Sequence, residues 1–557
     1  MDNQSIADTF SLLAKLMEIH GENAFKAKSY SIAAYNIERM TVPLESLDEA
    51  QLFQVKGIGD AIGKKILELH GTGEFKLLRE TLDKTPPGIL DMLRIKGLGP
   101  KKISIIWKEL GAESLGELLY ACDENRLTLY KGFGAKTQAS IKESIEFFLQ
   151  NQDRLLYAQI EPYALELTAA LSAHFHVELT GAFRRQMEII DELEWCTTAP
   201  VPLLEKFLVE QGFTVTLHDA AAAQGNATPG PPRLIAKGAR VPLIFHLSTP
   251  SNFGSILFQT SAAEPFLQAW GPVLPAAAES EVFAAKGLPF VIAPMREAPS
   301  VLTLEAIPEV IQPGDVKGVI HSHSDWSDGA HTLEKMAQTA KDQGFEYLVI
   351  SDHSQTAFYA NGLKEDRIKA QHEQIAELNA RLAPFKIFKS IESDILSDGR
   401  LDYSDNILAT FDLVIASVHS NLSMPLDKAM QRVTTAVRNP FTTILGHPTG
   451  RLLLSRKGYP LDHLALLDLC AEQQVVMELN AHPRRLDMDW RWLPDAIGRG
   501  VLTSIDPDAH AVEGFKDIRY GVLAAQKGGI TPRHNLSSFS RVELEEWLAA
   551  RRRAKGI

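Results

Sequence analysis

Apolar positions recur at helical spacing through the first 150 residues, in IADTFSLLAKLMEI, QLFQVKGIGDAIGKKILEL, ISIIWKELG and ASIKESIEFFLQ, with short glycine-containing turns between them. The pattern predicts an all-helical segment. Between residues 155 and 300 it is mixed. HVELTGAF, DELEWCTT, FTVTLH and VPLIFHLS have strand character, and Ala220–Pro232 (AAAAQGNATPGPP) reads as a breaker-rich loop. PVLPAAAE near Pro275 weakens the pattern again, and residues 301–315 read as a linker. From Gly318 the style changes. KGVIHSH, YLVISDH, FKIFKSIES, DLVIASVH, TTILGHP, VVMELNA and VLTSIDPDAH are seven short apolar runs, separated by helical stretches such as TLEKMAQTAKDQ and EDRIKAQHEQIAELNARL. Strand–helix alternation predicts a parallel sheet, either a barrel or a doubly wound sheet.

Composition narrows this picture. At about 150 residues per domain, 557 residues suggest three to four domains. Hydrophobic residues at 45% and charged residues at 23% exclude disorder as the main state. Cys122, Cys196 and Cys470 are too few and too scattered for a disulfide framework, which favours a reducing cytoplasm. MDNQSIADTF lacks the basic start and apolar core of a secretory signal, and no apolar run approaches the roughly 18 residues of a membrane span. A net charge of −13 argues against coating nucleic acid by bulk charge, but leaves room for local basic sites. The histidines are skewed: 11 of 17 follow residue 320.

That skew has a pattern. The predicted strands end, in order, in His321 and His323 (with Asp328 in the next turn), His353, Glu392, His419, His447, and Asp508 with His510. Strand ends of a parallel barrel converge on one face, so residues spread over 190 positions can form one cluster. His-x-His on an extended segment sets two imidazoles on one side. Imidazoles with carboxylates suit zinc, manganese or iron. Nine groups exceed one tetrahedral ion and suggest two or three, with Glu392 bridging. His331, His372, His463, His482 and His534 lack this placement and read as surface or supporting residues.

VIHSHSDWSDG, LVISDHS, IESDIL, ASVHS, LGHPTGR, MELN and DPDAH resemble the motifs of the PHP (polymerase and histidinol phosphatase) domain over about residues 316–550. With NGLKEDRI, GRLDY and RYGVLAA, the order resembles the PHP domain of bacterial family X DNA polymerases. The resemblance implies a distorted (β/α)7 barrel with a trinuclear metal centre. It assigns His321, His323, Glu392 and Asp508 to one ion, Glu392, His419 and His447 to a second, and Asp328, His353 and His510 to a third. Val319 departs from the family, which often has Asp there, at a position that is not a ligand. Closely spaced ions suit phosphoester hydrolysis without a side-chain nucleophile. Arg451, and Arg485 or its neighbour Arg484, are candidates to neutralise phosphate oxygens.

VKGIGDAIGKKI, IKGLGPKKI and YKGFGAKTQASI share an apolar–Lys–Gly–apolar–Gly pattern before a basic helix start, and resemble helix–hairpin–helix repeats. Glycines at 57 and 59, 97 and 99, and 132 and 134 allow a tight turn, and the following helix offers free N–H groups to a phosphate. Such contacts grip a backbone without reading sequence. Residues 1–150 hold 19 basic against 21 acidic residues, yet Lys56, Lys64, Lys65, Lys96, Lys101, Lys102, Lys131 and Lys136 all sit at the hairpins. The resemblance implies binding at the 5′-phosphate side of a DNA gap. Lys65 matches the lyase lysine of some members, although a basic hairpin favours a phosphate contact.

LTGAFRRQMEIIDELEW resembles the family X palm motif, with departures. Gly181 and Arg184 are kept. The triphosphate-binding serine is Ala182, the Asp-x-Asp pair is Glu192 and Glu194, and Pro242 stands at the third aspartate. Proline ligates no metal, and glutamate displaces its oxygens by more than about 1 Å, which catalysis does not tolerate. FGSILFQTSAAEPF keeps little of the nucleotide-binding pattern. Magnesium at this site is therefore doubtful; the alternative is that Glu192 and Glu194, with Asp191, still hold it weakly.

The sequence thus reads as a multidomain α+β and α/β protein: a helix–hairpin–helix region (1–150), a degenerate nucleotidyltransferase-like palm and thumb (151–300), a linker (301–315) and a PHP barrel (316–557). The expected function is metal-dependent processing of DNA 3′ ends in base-excision repair, as 3′–5′ exonuclease, 3′-phosphatase, 3′-phosphodiesterase or abasic-site nuclease. Expected partners are gapped, nicked or 3′-blocked DNA, with no membrane, for a monomer of the bacterial cytoplasm and nucleoid. The competing readings are an active DNA polymerase with a PHP exonuclease, a small-molecule phosphatase of the histidinol phosphatase type, and a catalytically silent DNA-binding scaffold.

Overall fold

The computed structural model describes residues 2–40, 42–55, 58–123, 126–150, 154–218 and 232–557. Most of the expected loop Ala220–Pro232, and the hairpin positions Lys56 and Gly57, lie outside the described residues. The chain divides into two compact units, Met1–Gln152 and Asp153–Ile557.

The first unit is helical throughout its described residues. Its helices bury one apolar stripe each, and Phe10, Leu13, Ile37, Ile66, Phe75, Ile89, Ile103, Leu118 and Ile145 meet in a single core. The described parts of the three hairpins lie between helices of this unit, and the packed core holds the helices that flank them.

Besides a two-residue antiparallel pair, Leu155–Leu156 with Ile189–Ile190, the second unit contains two larger sheets of opposite design. In the first, β1 (Val177–Thr180), β2 (Leu193–Thr197), β3 (Thr214–His218), β4 (Arg233–Lys237) and β5 (Leu243–Leu247) run in the order β1-β2-β5-β4-β3. Only the β2–β5 pair is parallel. The sequence pattern anticipates four of these strands. It misses β4, whose buried positions are only Leu234 and Ala236 between charged ends. It also runs the first strand too far: the chain turns at Gly181 (φ 64°), and Gly181–Arg184 is one helical turn.

The second sheet is the barrel. β6 (Gly318–Ser322), β7 (Tyr347–Ile350), β8 (Lys386–Asp394), β9 (Leu413–Ser417), β10 (Thr442–Leu445), β11 (Val476–Asn480) and β12 (Thr503–Asp506) pair in sequence order, all parallel. A Ser322–Ala509 bridge brings the ends of β6 and β12 together, with His323 N donating to Ala509 O at 2.8 Å. This nearly closed seven-stranded barrel resolves the choice left by the pattern. Its strands are buried on both faces, which is why they read as continuous apolar runs. Ile320, Val349, Phe388, Ile415 and Ile444 belong to an apolar cluster that Leu544 and Leu548 of helix Arg541–Lys555 join. The basic run in that helix serves structure: Arg551 donates to the carbonyls of Gln474, Pro440 and Thr442, and Arg552 to those of Phe411 and Ala409.

Residues 301–315 are anchored by a few buried side chains. Val301, Val310 and Ile311 are buried, and Ile311 N donates to Ile530 O of the barrel at 2.8 Å. Ion pairs join the palm to the barrel at Glu161–Arg519, Glu188–Arg491 and Glu297–Lys527.

Candidate functional site

The C-terminal ends of β6, β7, β8, β9, β10 and β12 bring together all nine groups singled out from the sequence. Glu392, buried at the end of β8, is the hub. Its Oε1 lies 3.0 Å from His419 Nε2, 3.0 Å from His447 Nε2 and 3.3 Å from His321 Nε2. Its Oε2 lies 2.9 Å from His353 Nδ1 and 3.8 Å from His323 Nε2. Asp508 Oδ1 sits 3.1 Å from His323 Nε2 and 3.6 Å from His321 Nε2. Asp328 approaches His353 Nε2 (3.7 Å) and His510 Nε2 (3.5 Å).

Three subsets offer ligand atoms within 4.8 Å of one another: His323, Asp328, His353 and His510; His321, His323 and Asp508; and His353, Glu392 and His419. His447 joins through Glu392. The donor set suits divalent cations. Nε2 of His321 and Nδ1 of His323 are buried without a hydrogen bond, a state that metal ligation relieves for a buried nitrogen.

Backbone distortion builds the cluster. Regular strand alternation does not set the two N-terminal imidazoles side by side, as His-x-His suggested. Instead β6 kinks at His321 (φ 58°), β12 is followed by left-handed Asp508 (φ 51°), and His447 has φ 21°. Non-glycine residues held at positive φ cost about 1–3 kcal/mol each and concentrate at functional sites.

Carboxylates behind the cluster orient its imidazoles, and sequence reasoning missed their roles. Glu478 Oε1 lies 2.5 Å from His321 Nδ1, its Oε2 accepts from His447 N, and Asp394 Oδ1 lies 2.6 Å from His419 Nδ1. The contacts at His321 and His419 leave Nε2 for ligation and fix the tautomer. Asp352 accepts from Ser324 N and Oγ and from Ser327 Oγ, and so ties down the turn carrying Asp328. All three lie inside quoted motifs (MELN, IESD, SDHS), but their partners are distant in sequence.

Crowding shifts the protonation of these groups. Burial disfavours charge on His321, but Glu478, Asp508 and Glu392 outweigh it and hold the imidazole well above its ordinary value. His419 is held up at about 10 against burial by Glu392 and Asp394, and His510 at about 9 by Asp328 and Asp508. Burial, with His510 and His353 beside it, pushes His323 down to about 3. Without metal, several imidazoles therefore carry protons at pH 7. Ligation needs them neutral, so metal binding must expel those protons. Titration of metal-free protein with Mn²⁺ or Zn²⁺ in buffers of different ionisation heat should show release of about two to three protons per chain at pH 7, from His321, His419 and His510. The release should shrink as pH rises through 9 to 10. Buffer-independent heat would contradict this.

The two candidate phosphate-binding arginines differ. Arg485 Nε lies 3.7 Å from Asp508 Oδ2, at the cluster. Arg451 is engaged within the fold: it pairs with Asp489 at 2.5 Å and donates to the carbonyls of Arg485 and Leu486. The fork that would grip phosphate holds the 485–489 segment instead.

In the palm, β2 and β5 run in register, so Glu192 is level with Pro242 and no third carboxylate stands there. Glu194 Oε2 pairs with His246 Nε2 at 2.7 Å, and a Cβ on Gly181 would meet Glu194 Oε1 at 1.8 Å. Burial, then Glu194 and Asp191, push the Glu192 carboxyl up. Asp191 pairs with Arg154 at 3.4 Å. Arg184 is held bidentately by Glu279 (2.8 and 2.9 Å), which also binds Arg296.

In the helical unit, Gly97 (φ 88°) and Gly132 (φ 94°) take left-handed turns. Gly59 and Gly99 cap the following helices, and Gln138 N donates to Gly134 O. A Cβ on Gly59, Gly99 or Gly134 would touch nothing within 4 Å, so the chain itself does not demand glycine there. Open space beside free N–H groups is what an approaching phosphate backbone requires. Lys64, Lys101 and Lys136 are exposed. Lys102 Nζ donates to Gly97 O (3.0 Å), and Lys65 Nζ to Ala61 O (3.2 Å).

A seven-stranded barrel with this rim is that of a PHP domain, and residues 320–482 match that family. Residues 1–75 match the helix-hairpin-helix domain, and 89–146 the SAM-like helix-hairpin-helix tandem. Across its length the chain is similar to the DNA polymerase/3′-5′ exonuclease PolX of Bacillus subtilis, with 32% identity over 98% of this chain and 99% of that relative. The protein belongs to this bacterial PolX family. Over 29% of its length the chain is also similar to a probable phosphatase of Caldanaerobacter subterraneus (23% identity, 62% of that one). The probable phosphatase YcdX of Escherichia coli O139:H28 is 28% identical over 34% of this chain and 78% of its own. Among the described residues, no helix is long and apolar enough to cross a membrane.

Proposed function

We propose that this protein processes DNA 3′ ends with its barrel, as a metal-dependent phosphoesterase, and that its palm no longer transfers nucleotides. The observation that carries the proposal is the convergence of five histidines on the buried Glu392. Two to three divalent ions, zinc, manganese or iron, would be held by His321, His323, Glu392 and Asp508, by Glu392, His419 and His447, and by Asp328, His353 and His510. His323 also stands within ligand distance of the last group. Divalent cations there would supply the Lewis acidity that activates water and offsets charge on phosphate oxygens. Arg485 adds a fixed positive charge beside Asp508. Glu478 and Asp394 hold His321 and His419 in the orientation that ligation needs.

The hairpins of residues 1–150 would hold gapped or nicked DNA through backbone N–H groups and lysines. The palm of residues 151–300, joined through 301–315 to the barrel of 316–557, would act as a scaffold. This assignment is for a monomer of the bacterial cytoplasm. A second reading, a phosphatase of small metabolites, draws on the chain's likeness to probable phosphatases.

The test gives purified protein, with manganese or zinc, labelled gapped DNA, a 3′-phosphate end, an abasic site and histidinol phosphate, with and without dNTPs. Release at the DNA 3′ end is expected. Turnover of histidinol phosphate alone would favour the second reading, and failure on every DNA would sink the first. Replacing Lys64, Lys101 and Lys136 together by Ala is expected to weaken DNA binding by about tenfold or more at low salt and to flatten its salt dependence by about two to three units of slope. An unchanged slope, read by fluorescence anisotropy, would remove the hairpins from the DNA interface.

A further inference from the structure

Glu188 is a buried carboxylate of the palm, four residues before Glu192, and the polymerase motif gives it no role. It faces the barrel. Its Oε1 pairs with Arg491 Nη1 at 2.9 Å, and its Oε2 accepts from Trp490 Nε1 at 3.1 Å. Lys527 Nζ lies 4.4 Å above the Trp490 ring and reaches back to Arg185 O and Glu297 of the palm.

The contacts continue into the barrel. Arg491 Nη1 is 2.9 Å from both Asp489 oxygens, and Asp489 Oδ2 is 2.5 Å from Arg451 Nη1. Arg451 donates to Arg485 O and Leu486 O, and Arg485 Nε stands 3.7 Å from Asp508. An unbroken series of polar contacts thus runs from a palm residue to the loop that presents Arg485 to the metal cluster. Arg451 and Asp489 are each about four-fifths buried or more, so their pair is less screened than surface ones, while Arg491 is about half-exposed and its link to Asp489 more screened.

We infer that Glu188 is a positioning residue for the phosphoesterase site, acting across the palm–barrel contact through Arg491, Asp489 and Arg451 on Arg485. This rests on the reading of the barrel as a phosphoesterase. The eroded palm thereby keeps a role, because its Glu188 edge holds a loop of the working site in register.

Glu188→Gln keeps the shape and removes the charge. The amides of Arg485 and Leu486, both bonded to His482 O, report on the loop by hydrogen exchange in the full-length protein. Their exchange should quicken by about tenfold in Glu188→Gln. On a 3′-phosphorylated oligonucleotide, KM should rise by about five- to tenfold with kcat within about twofold, because Arg485 binds phosphate without taking part in bond breaking. In an Arg485→Ala background, Glu188→Gln should add no further KM effect. Arg519→Ala removes the separate Glu161–Arg519 pair of the same contact and serves as control. It should leave loop exchange and KM as in the wild type. Unchanged Arg485 and Leu486 exchange in Glu188→Gln overturns the inference, as does equal loosening by Arg519→Ala. A wild type inert on DNA would instead count against the phosphoesterase reading, while the exchange arm still decides the role of Glu188.

Discussion

Glu392→Gln is expected to abolish 3′-end processing, lowering it by at least about 10³-fold, and to strip most bound metal from the protein. Five imidazoles converge on this one carboxylate: His321, His323, His353, His419 and His447 all lie within 3.8 Å of its two oxygens. The amide keeps the volume but carries no charge and ligates weakly. Burial raises the Glu392 carboxyl, yet His419, His321 and His353 outweigh it and hold the group ionised, well below its ordinary value. Removing that charge takes away the main support for the proton on His419 and part of that on His321, and leaves a buried site whose imidazoles have lost their shared acceptor. Stability of the metal-free protein should therefore fall as well. The supporting carboxylates act one step removed, so Glu478→Gln and Asp394→Asn should cost about 10- to 100-fold in activity or metal affinity. Elemental analysis and release from a 3′-labelled oligonucleotide read both effects. Glu392→Gln retaining full metal and activity within about tenfold of wild type would break the assignment of Glu392 as hub.

The ligand candidates were legible because each sits at the end of an apolar run, and a parallel barrel gathers such ends on one rim. The sequence could not show how they meet. His321 and Glu478 are 157 positions apart, and their contact exists only once β6 and β11 share a barrel. The left-handed backbone at His321 has no local signal, since strand alternation alone would also set residues 321 and 323 on one side. Arg451 shows the converse. Its motif suggested a phosphate contact, and three partners in the 485–489 segment claim its guanidinium instead. Strand β4 escaped notice because only two of its five residues are buried. The hairpins were readable from their glycines, since left-handed turns at 97 and 132 require them.

Template-directed dNTP incorporation by the wild type is expected to fall below detection, at least about 10⁵-fold under that of a palm with three aspartates, and Glu192→Ala should change nothing. Four independent defects lead to this figure. Pro242, level with Glu192, supplies no third carboxylate. Glu194 is committed to His246 and occupies the space over Gly181, so its oxygens are not free to share an ion with Glu192. Ala182 offers no hydroxyl to a triphosphate. Arg184, the cation kept from the motif, is neutralised by Glu279, itself pinned by the fully buried Arg296. Losing one preorganised charge or donor costs about 10² to 10³ in rate, so any two of the four defects acting in full already reach about the stated loss. Restoring the carboxylates should therefore fail: Pro242→Asp alone, or with Glu192→Asp and Glu194→Asp, leaves Arg184 bound to Glu279. Adding Glu279→Gln should begin to release that arginine, at the cost of leaving Arg296 as a buried unpaired cation. Primer extension on gapped DNA with magnesium or manganese decides the matter. Incorporation by the wild type that Glu192→Ala abolishes would mean the two glutamates still hold a working ion.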